Sequence, residues 1–505
     1  MSMRLALGAV LPLVLLSSAS AAPRRGPPTV QPLDCAGLTT PGLFAQTVVT
    51  SAATVAPANG APGYCEVKAT VSPVKASMIG VVLRLPQGWN GKILGLGGGG
   101  WAGNVTLAAA SPGLIKGYAV LQTDGGHPGA TAFDSAWAKD APEAVTDFAY
   151  RAVHQMTVTG KTVVAKYSGK PQTEAYFQGC STGGRMALME VQRYPTDYNG
   201  VIAGAPVYNL TTQMNSVVRN NIFAAPDAQL TNAQLTVVNQ ASLRACDADD
   251  GIRDGVISDP RTCRWDPIAI QCPTGSKGDQ CLTPAQVAAV RKAYTPAATK
   301  RGAVAAYPLT RGGETGWSRF IATGAGTDMT TTRQGVPGMR AFIFRDADFD
   351  LSTFDAEKHQ SMVRSTPFAK MYEADNPDIS PFIRGGGKLV LWHGWNDPGP
   401  SPYATADYFE RVQKTTGPKL GKQSLASSAR FFLAPGVEHC GGGPGPDQFD
   451  LLGTLESWVE ADKAPDSLVA TKRGSPISRP LCPYPQAAKF KGEGDPNDAK
   501  NFTCG

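Results

Sequence analysis

The sequence predicts an α/β fold in which strands and helices alternate around a mostly parallel sheet. Three short apolar runs bounded by glycine or proline, which are typical of buried strands, occupy residues 79–85, 92–96 and 118–123. Apolar residues with helical spacing follow over 141–166, and a strand at 173–178 then leads into a helix at 185–192. Strands that alternate with helices in this way favour a parallel sheet covered by helices.

This regular order is interrupted after Pro206. The following stretch is rich in turn residues and contains four of the ten cysteines, and we expect it to be irregular. Strands return at 388–394 and 429–434, so the middle of the chain is predicted to be an insertion. The predicted division is a catalytic domain over residues 22–207 and 386–505, split by an inserted lid domain over residues 208–385.

The first 21 residues have the pattern of an export signal. Arg4 supplies a positive charge, an apolar run covers residues 5–16, and Ala19-Ser20-Ala21 provides a small-residue cleavage site. The run is too short to span a bilayer as a mature helix, and an uncleaved membrane anchor is the alternative. We therefore expect a secreted or periplasmic protein that is not embedded in the membrane.

Composition agrees with export and gives no support for binding to nucleic acid. The ten cysteines are an even number, as expected of a disulfide-stabilised exported protein. The net charge of +6 is small for 505 residues, and lysine and arginine are scattered along the chain.

A serine between a predicted strand and a predicted helix is the candidate nucleophile. Ser181 stands in Gly179-Cys180-Ser181-Thr182-Gly183, which fits the G-x-S-x-G turn that exposes a nucleophilic serine in α/β-hydrolases. A serine hydroxyl is a weak nucleophile near neutral pH and needs a base within hydrogen-bond reach. In a glycine-rich chain, the alternative is a tight turn with a buried serine.

Two later residues complete a candidate Ser-Asp-His triad. His439 is the candidate base because it comes late in the chain, follows a predicted strand and adjoins Cys440. Asp397 would accept a hydrogen bond from the imidazole and stabilise its charged form; a plain turn residue is the alternative. His393, which closes the preceding strand, is expected to pack or hydrogen-bond there. Because the three triad candidates each follow a strand, they should meet at one edge of the sheet.

A glycine run offers a candidate oxyanion hole. Gly97-Gly98-Gly99-Gly100-Trp101 follows a predicted strand and is similar to the glycine-rich oxyanion loop of esterases. Glycines allow backbone N–H groups to approach the anionic oxygen of a tetrahedral intermediate. We expect one donor from Gly99 or Gly100 and the other from the amide of Thr182; a bare glycine turn is the alternative.

Sequence neighbours suggest four local disulfides. If these form, Cys180 and Cys440 remain, and their pairing would tie the candidate nucleophile to the candidate base. Connectivity does not follow from sequence alone, so this pairing is a hypothesis. The suggested local pairs are Cys35–Cys65, Cys246–Cys263, Cys272–Cys281 and Cys482–Cys504.

An aspartate-rich loop in the insertion is a candidate calcium site. Residues 246–257 read Cys-Asp-Ala-Asp-Asp-Gly-Ile-Arg-Asp-Gly-Val-Ile, and carboxylates between glycine turns suit a hard cation. The spacing departs from the EF-hand loop, and from spacing alone an acidic turn is favoured. The candidate ligands are the carboxylates of Asp247, Asp250 and Asp254 and the carbonyls of Ile252 and Val256.

Taken together, these motifs resemble the tannase and feruloyl esterase family. Serine and histidine that are each flanked by cysteine are the most specific part of the resemblance. It implies an α/β-hydrolase fold with a lid, a Ser-Asp-His triad, a disulfide between the triad's neighbours, and structural calcium at the five positions named above. The motifs that carry it are the glycines at 97–100, Gly-Cys-Ser-Thr-Gly-Gly at 179–184, the loop at 246–256, His-Gly-Trp-Asn-Asp at 393–397 and His-Cys-Gly-Gly-Gly at 439–443.

The resemblance also implies the substrate class. Family substrates are esters of aromatic acids: gallates, hydroxycinnamates and, rarely, terephthalate half-esters. Trp317, Arg319 and Phe320 are a candidate pocket wall, since aromatic rings contact a ring and arginine pairs with a carboxylate; a core position for Trp317 is equally consistent. The expected function is an exported serine carboxylesterase for aromatic esters. An acyltransferase with the same triad and a non-catalytic exported binding protein are the alternatives.

Overall fold

The computed structural model describes residues 31–129, 131–132, 135–321, 323–324, 339–344, 346 and 348–505. The predicted signal peptide at residues 1–21 lies outside this part of the chain and stays a prediction. No helix within the described part is long and apolar enough to cross a membrane.

Strands of two to nine residues make up the sheets of the described chain. In chain order they are β1 (Thr47–Val55), β2 (Tyr64–Val71), β3 (Ile79–Pro86), β4 (Lys92–Leu96), β5 (Ala119–Thr123), β6 (Glu174–Cys180), β7 (Gly200–Gly204), β8 (Ala297–Ala298), β9 (Val304–Ala306), β10 (Lys388–Gly394), β11 (Ala429–Ala434), β12 (Leu468–Thr471), β13 (Ser478–Leu481), β14 (Ala488–Phe490) and β15 (Phe502–Cys504).

Nine of these strands form one mixed sheet in the order β1-β2-β3-β5-β4-β6-β7-β10-β11. From β5 to β11 all neighbouring strands run parallel, whereas β1, β2 and β3 extend the sheet in antiparallel fashion beside β5. The parallel strands therefore direct their carboxyl ends to one edge, as predicted. The other strands form the antiparallel pairs β8–β9, β12–β13 and β14–β15.

Helices cover both faces of this sheet, which confirms the predicted α/β class. The predicted helix at 141–166 is two helices, Pro142–Thr146 and Ala152–Ser168, joined by one π-helical turn, Asp147–Arg151. The α-helices are α1 (Leu107–Ile115), α2 (Pro142–Thr146), α3 (Ala152–Ser168), α4 (Thr182–Arg193), α5 (Leu210–Ile222), α6 (Asn232–Cys246), α7 (Pro284–Ala293), α8 (Ala356–Arg364), α9 (Pro367–Tyr372), α10 (Ser380–Arg384), α11 (Pro402–Thr416) and α12 (Leu451–Ala461).

Successive apolar residues of each central strand point to opposite faces, which explains the continuous apolar runs in the sequence. In β10, Leu389 and Leu391 join a core with α3, α4 and α11, whereas Val390 lies in a separate core with α1 and α12. The same division separates Phe177 from Tyr176 in β6. A strand buried on both faces has no polar side, so such runs are strong strand signals.

The described residues between β7 and β10 leave the sheet and include regular helices, which corrects our expectation of an irregular stretch. They contain α5 to α10 and have an apolar core of their own, which includes Phe223, Leu235 and Trp317. The sequence carries clear helix starts that were overlooked. Thr231 with Gln234, and Thr283 with Gln286, form reciprocal capping boxes at the first turns of α6 and α7. The predicted lid boundaries at 208 and 385 stay a prediction.

The strands β1, β2 and β7 of the sheet were not predicted, because none of them shows a long apolar run. The edge strand β1 is mostly exposed and rich in small and polar residues. Its neighbour β2 is interrupted by Glu66 and Lys68. The buried strand β7 is only five residues long and begins and ends with glycine, so it reads as a turn.

The four predicted local disulfides are all formed. They join Cys35 to Cys65, Cys246 to Cys263, Cys272 to Cys281 and Cys482 to Cys504. Two of them lie within the insertion, where they close short loops of 17 and 9 residues of sequence separation.

Candidate active site

Ser181 occupies the sharp turn between β6 and α4. Its backbone has φ +63° and ψ −122°, a conformation that residues other than glycine rarely adopt. The turn is held from the neighbouring strand, because the amide of Ser181 donates to the carbonyl of Gly204 at 3.0 Å. This strained strand-to-helix turn is the geometry expected of an exposed nucleophile.

The glycines around Ser181 allow two backbones to touch. A Cβ at Gly179 would lie 2.4 Å from the carbonyl oxygen of Gly183, and a Cβ at Gly97 would lie 2.6 Å from the Cα of Gly183. Real Cβ atoms do not approach backbone this closely, so both positions require glycine. The glycine run after β4 therefore packs directly on the first turn of α4.

Asp397 and His439 meet beyond the ends of β10 and β11. The Nδ1 of His439 lies 2.6 Å from Oδ2 of Asp397, and the Gly399 amide donates to Oδ1 at 2.8 Å. Asp397 is 2% exposed. Burial opposes its ionisation, but the charge of His439 and the hydrogen bond from His393 outweigh burial and lower the pKa of Asp397 to about 2. The carboxylate is therefore ionised at neutral pH and able to orient the imidazole.

The hypothesised link between Cys180 and Cys440 is present. This disulfide joins residues 260 positions apart in sequence and connects the turn of Ser181 to the loop of His439. Cys440 has φ +61°, and its Sγ lies 3.7 Å from Nε2 of His439. The cross-link thus restrains the distance between the candidate nucleophile and the candidate base.

Ser181 and His439 both line one cavity of about 150 Å³. Its walls are mainly apolar, and the ring of Phe320 stands edge-on to the imidazole of His439, with centroids 5.1 Å apart. The remaining lining residues are Gly100, Trp101, Ala132, Thr182, Val207, Thr212, Gln213, Ser216, Gly399 and Pro400.

The three candidate wall residues have different places. Phe320 lines the cavity. Trp317 is 1% exposed and packs against Phe223 and Tyr294, so it occupies a core position, which was the alternative considered for it. Arg319 is largely exposed and forms an ion pair with Glu438, beside His439. The pairing occupies the guanidinium that was expected to meet a substrate carboxylate.

The candidate oxyanion donors lie beside Ser181, with one exception. Gly100 and Thr182 line the cavity, and Gly99 is absent from its lining. As the first residue of α4, Thr182 has an amide without a partner inside the helix. Gly100 has φ +55°, and the next residue, Trp101, donates to the carbonyl of Ala132 at 2.6 Å. Of the two loop glycines proposed, Gly100 has the better position.

A buried arginine of the insertion holds the loop that follows Asp397, and sequence reasoning missed it. Arg219 on α5 is 2% exposed and donates to the carbonyls of Pro398 at 2.9 Å and Gly399 at 2.7 Å. Burial lowers the pKa of Arg219 to about 10, and the charge of Asp397 opposes that effect. A helical arginine gives no sequence signal for such a long-range contact.

The aspartate-rich loop carries oxygen donors of the kind that bind calcium. Asp247 and Asp250 are each 8% exposed, and burial, together with the charges of Asp254 and Asp247, raises the pKa of Asp250. Within the described chain, the carbonyls of Ile252 and Val256 accept no hydrogen bond. Partly buried carboxylates that repel each other, next to free carbonyls, are a donor set for a hard cation.

Other contacts of this loop occupy some of the same oxygens. Asp247 accepts from the amides of Asp254, Gly255 and Val256, and Asp254 pairs with Arg479 at 2.6 Å. These contacts fix the loop, while the arginine reduces its net negative charge.

Comparison with known proteins agrees with this geometry. The family model described as tannase and feruloyl esterase matches residues 65–505. The chain belongs to the tannase and feruloyl esterase family. It is 33% identical to the mono(2-hydroxyethyl) terephthalate hydrolase of Piscinibacter sakaiensis over 90% of this chain and 87% of that protein. It is 32% identical to a probable feruloyl esterase of Arthroderma benhamiae over 87% of this chain and 85% of that protein.

Two solved enzyme structures share the fold. Feruloyl esterase B from Aspergillus oryzae superposes with a TM-score of 0.83 at 26% identity, covering 93% of this chain and 99% of that chain. A tannin acyl hydrolase from Aspergillus niger has a TM-score of 0.76 at 19% identity, covering 94% and 96% of the two chains. This family member is therefore an α/β-hydrolase-fold carboxylic ester hydrolase.

Proposed function

We propose that this family member is an exported serine esterase that hydrolyses esters of aromatic acids through Ser181, His439 and Asp397. One observation supports the proposal above all others. Ser181 and His439 line the same apolar cavity, and His439 is hydrogen-bonded to the buried carboxylate of Asp397. A nucleophile, a base and an orienting acid are thereby available beside a site for an apolar acyl group.

In the acylation step, the hydroxyl of Ser181 attacks the ester carbonyl while Nε2 of His439 accepts its proton. Asp397 stabilises the imidazolium that forms and keeps Nδ1 protonated. The tetrahedral intermediate places its oxyanion near the amides of Thr182 and Gly100, which donate hydrogen bonds to it. His439 then protonates the departing alcohol, and the acyl group remains on Ser181.

In the deacylation step, water replaces the alcohol. His439 removes a proton from the water, which attacks the acyl-enzyme, and the acid leaves as Ser181 regains its hydrogen. Removal of one oxyanion donor typically raises the barrier by roughly 3–4 kcal/mol.

The cavity walls favour a planar acyl group. Trp101, Val207, Phe320 and Pro400 supply apolar contact surface, and aromatic rings pack well against such side chains. Thr212, Gln213 and Ser216 on α5 add hydrogen-bonding groups to one wall. A ring with hydroxyl or methoxy substituents suits this combination, in agreement with the feruloyl esterases among its relatives.

A panel of three esters tests the proposed substrate class. We expect methyl ferulate and methyl gallate to be cleaved faster than a terephthalate half-ester, because Arg319 is already paired with Glu438. Liquid chromatography of the free acid measures turnover, and added alcohol distinguishes hydrolysis from acyl transfer. Preference for the half-ester would contradict the expected order, and turnover of aliphatic esters alone would contradict the aromatic assignment.

We also propose structural calcium at Asp247, Asp250 and Asp254, with the carbonyls of Ile252 and Val256. Calcium would offset the repulsion among the three carboxylates and tie the loop together. The ion would take no part in the reaction, since none of these residues lines the cavity of Ser181.

Removal of calcium is expected to lower the melting temperature. A ligand present at 100 times its Kd stabilises the native state by about 2.7 kcal/mol, so chelation with EGTA should shift thermal unfolding downward by several degrees. Asp250→Asn is expected to lower the melting temperature and to abolish the EGTA effect. An unchanged melting temperature together with no calcium in elemental analysis would contradict the site.

Export to an oxidising compartment completes the proposal. Five disulfides, which include the link between the loops of Ser181 and His439, persist where thiols are not kept reduced. The predicted signal at residues 1–21 would direct the chain there.

A further inference from the structure

A second histidine contacts the candidate catalytic aspartate. His393, the penultimate residue of β10, is fully buried, and its Nε2 lies 3.0 Å from Oδ2 of Asp397. Its Nδ1 lies 2.8 Å from the hydroxyl of Thr405 on α11. An ionised carboxylate only accepts hydrogen bonds, so Nε2 of His393 carries the hydrogen. In the neutral ring Nδ1 is then the acceptor, and the hydroxyl of Thr405 donates to it.

Both histidines use the same carboxylate oxygen. Oδ2 of Asp397 accepts from His439 at 2.6 Å and from His393 at 3.0 Å, while Oδ1 accepts from the amide of Gly399. These contacts fix both the position of the carboxylate and its rotation. His393 supplies the one side-chain contact among them that comes from the rigid strand rather than from a loop.

We infer that His393 is a positioning residue, which holds Asp397 in the orientation that His439 needs and is itself held in place by the hydroxyl of Thr405. The inference rests on the proposed function, because it concerns the same triad. His393 is fully buried and absent from the cavity lining, so it contacts no substrate and acts through Asp397.

The charges around Asp397 determine the direction of the expected pH effect. His439 and Glu438 face it from the loop after β11, and Arg219 from α5. Loss of the hydrogen bond from His393 would leave more negative charge on the oxygen that faces His439. The imidazolium would then persist to higher pH, and the acidic limb of the rate profile would move upward.

Substitution of His393 tests this inference. Loss of a hydrogen bond to a charged group that positions the catalytic residues is expected to slow the reaction by roughly 10- to 100-fold. We therefore expect His393→Leu to lower kcat by about that factor. The KM of the variant should stay within about twofold of the wild-type value, because His393 makes no contact with bound substrate. The acidic limb of kcat/KM should shift to higher pH. His393→Gln keeps an N–H donor near the position of Nε2 and should recover most of the kcat and the wild-type limb.

Thermal unfolding and circular dichroism accompany each variant. If His393→Leu does not fold, Thr405→Val is used in its place. We expect Thr405→Val to show a smaller fall in kcat and a shift of the acidic limb to higher pH. Thr405→Ser, which keeps the hydroxyl, is the matched control. A folded His393→Leu with wild-type kcat and pH profile would overturn the inference, as would a Gln variant as impaired as the Leu variant, or an unshifted limb in Thr405→Val. Failure of the proposed function is separate: the wild type would then lack activity, or Ser181→Ala would retain it.

Discussion

Ser181→Ala should abolish ester hydrolysis and leave the fold intact. Loss of the serine from a Ser-His-Asp triad costs roughly 10⁶-fold in kcat, because the covalent step is lost while substrate binding remains. Backbone groups hold the turn: the amide of Ser181 donates to Gly204, and its carbonyl accepts from Arg185 and Val207. Within the residues that the structure describes, its side chain adds no hydrogen bond to the turn. Steady-state kinetics on p-nitrophenyl and hydroxycinnamate esters measures the loss, and the melting temperature should match that of the wild type.

Ser111→Ala provides the matched control for this experiment. Ser111 is a partly buried serine on α1 whose hydroxyl donates to the carbonyl of Leu107, away from the cavity. Its replacement should leave kcat unchanged. Substantial turnover by Ser181→Ala would show that another group is the nucleophile.

Removal of the Cys180–Cys440 disulfide should be the second most damaging change. The bond closes a loop of 260 residues of sequence separation, for which the chain-entropy relation gives roughly 5 kcal/mol as an upper figure. Its loss also frees the loop of His439 from the turn of Ser181. We therefore expect the double variant Cys180→Ala/Cys440→Ala to lose most of its turnover and to unfold at a clearly lower temperature. Kinetics and calorimetry on the same preparation separate the two effects.

The disulfide between Cys272 and Cys281 offers a control of the same chemistry. It closes a loop of only 9 residues of sequence separation within the insertion, and neither cysteine lines the cavity. The double alanine variant should keep its turnover and lose less stability. Equal activity in wild type and in a folded variant without the Cys180–Cys440 bond would contradict the role assigned to that bond.

Six of the nine strands of the central sheet were predictable because they are short apolar runs that the fold buries. The run Lys388–Gly394 became β10 with the predicted bounds, and Ala429–Ala434 became β11. Strand ends then placed Ser181, Asp397 and His439 at one edge, since parallel strands share their direction. Proximity in sequence suggested the four local disulfides, and all four are formed in the structure.

Contacts that depend on packing between distant segments were not predictable. The sequence around Trp317 is compatible with a pocket wall and with a core position. Trp317 is a core residue because it packs against apolar residues of the insertion. The contacts of His393 with Thr405 and of Arg219 with the loop after Asp397 join separate elements. The spacing of apolar residues predicts which face of a helix is buried, but it does not predict which atoms of another element that face contacts.

Labelling by a fluorophosphonate tests the central claim most directly, because this reagent reacts with a serine that a neighbouring base has activated. Intact mass and peptide mapping should show one adduct, on Ser181, in the wild type. His439→Ala should label far more slowly, while its circular dichroism stays that of the wild type. An adduct on another residue, or an equal labelling rate in His439→Ala, would contradict the activation of Ser181 by His439.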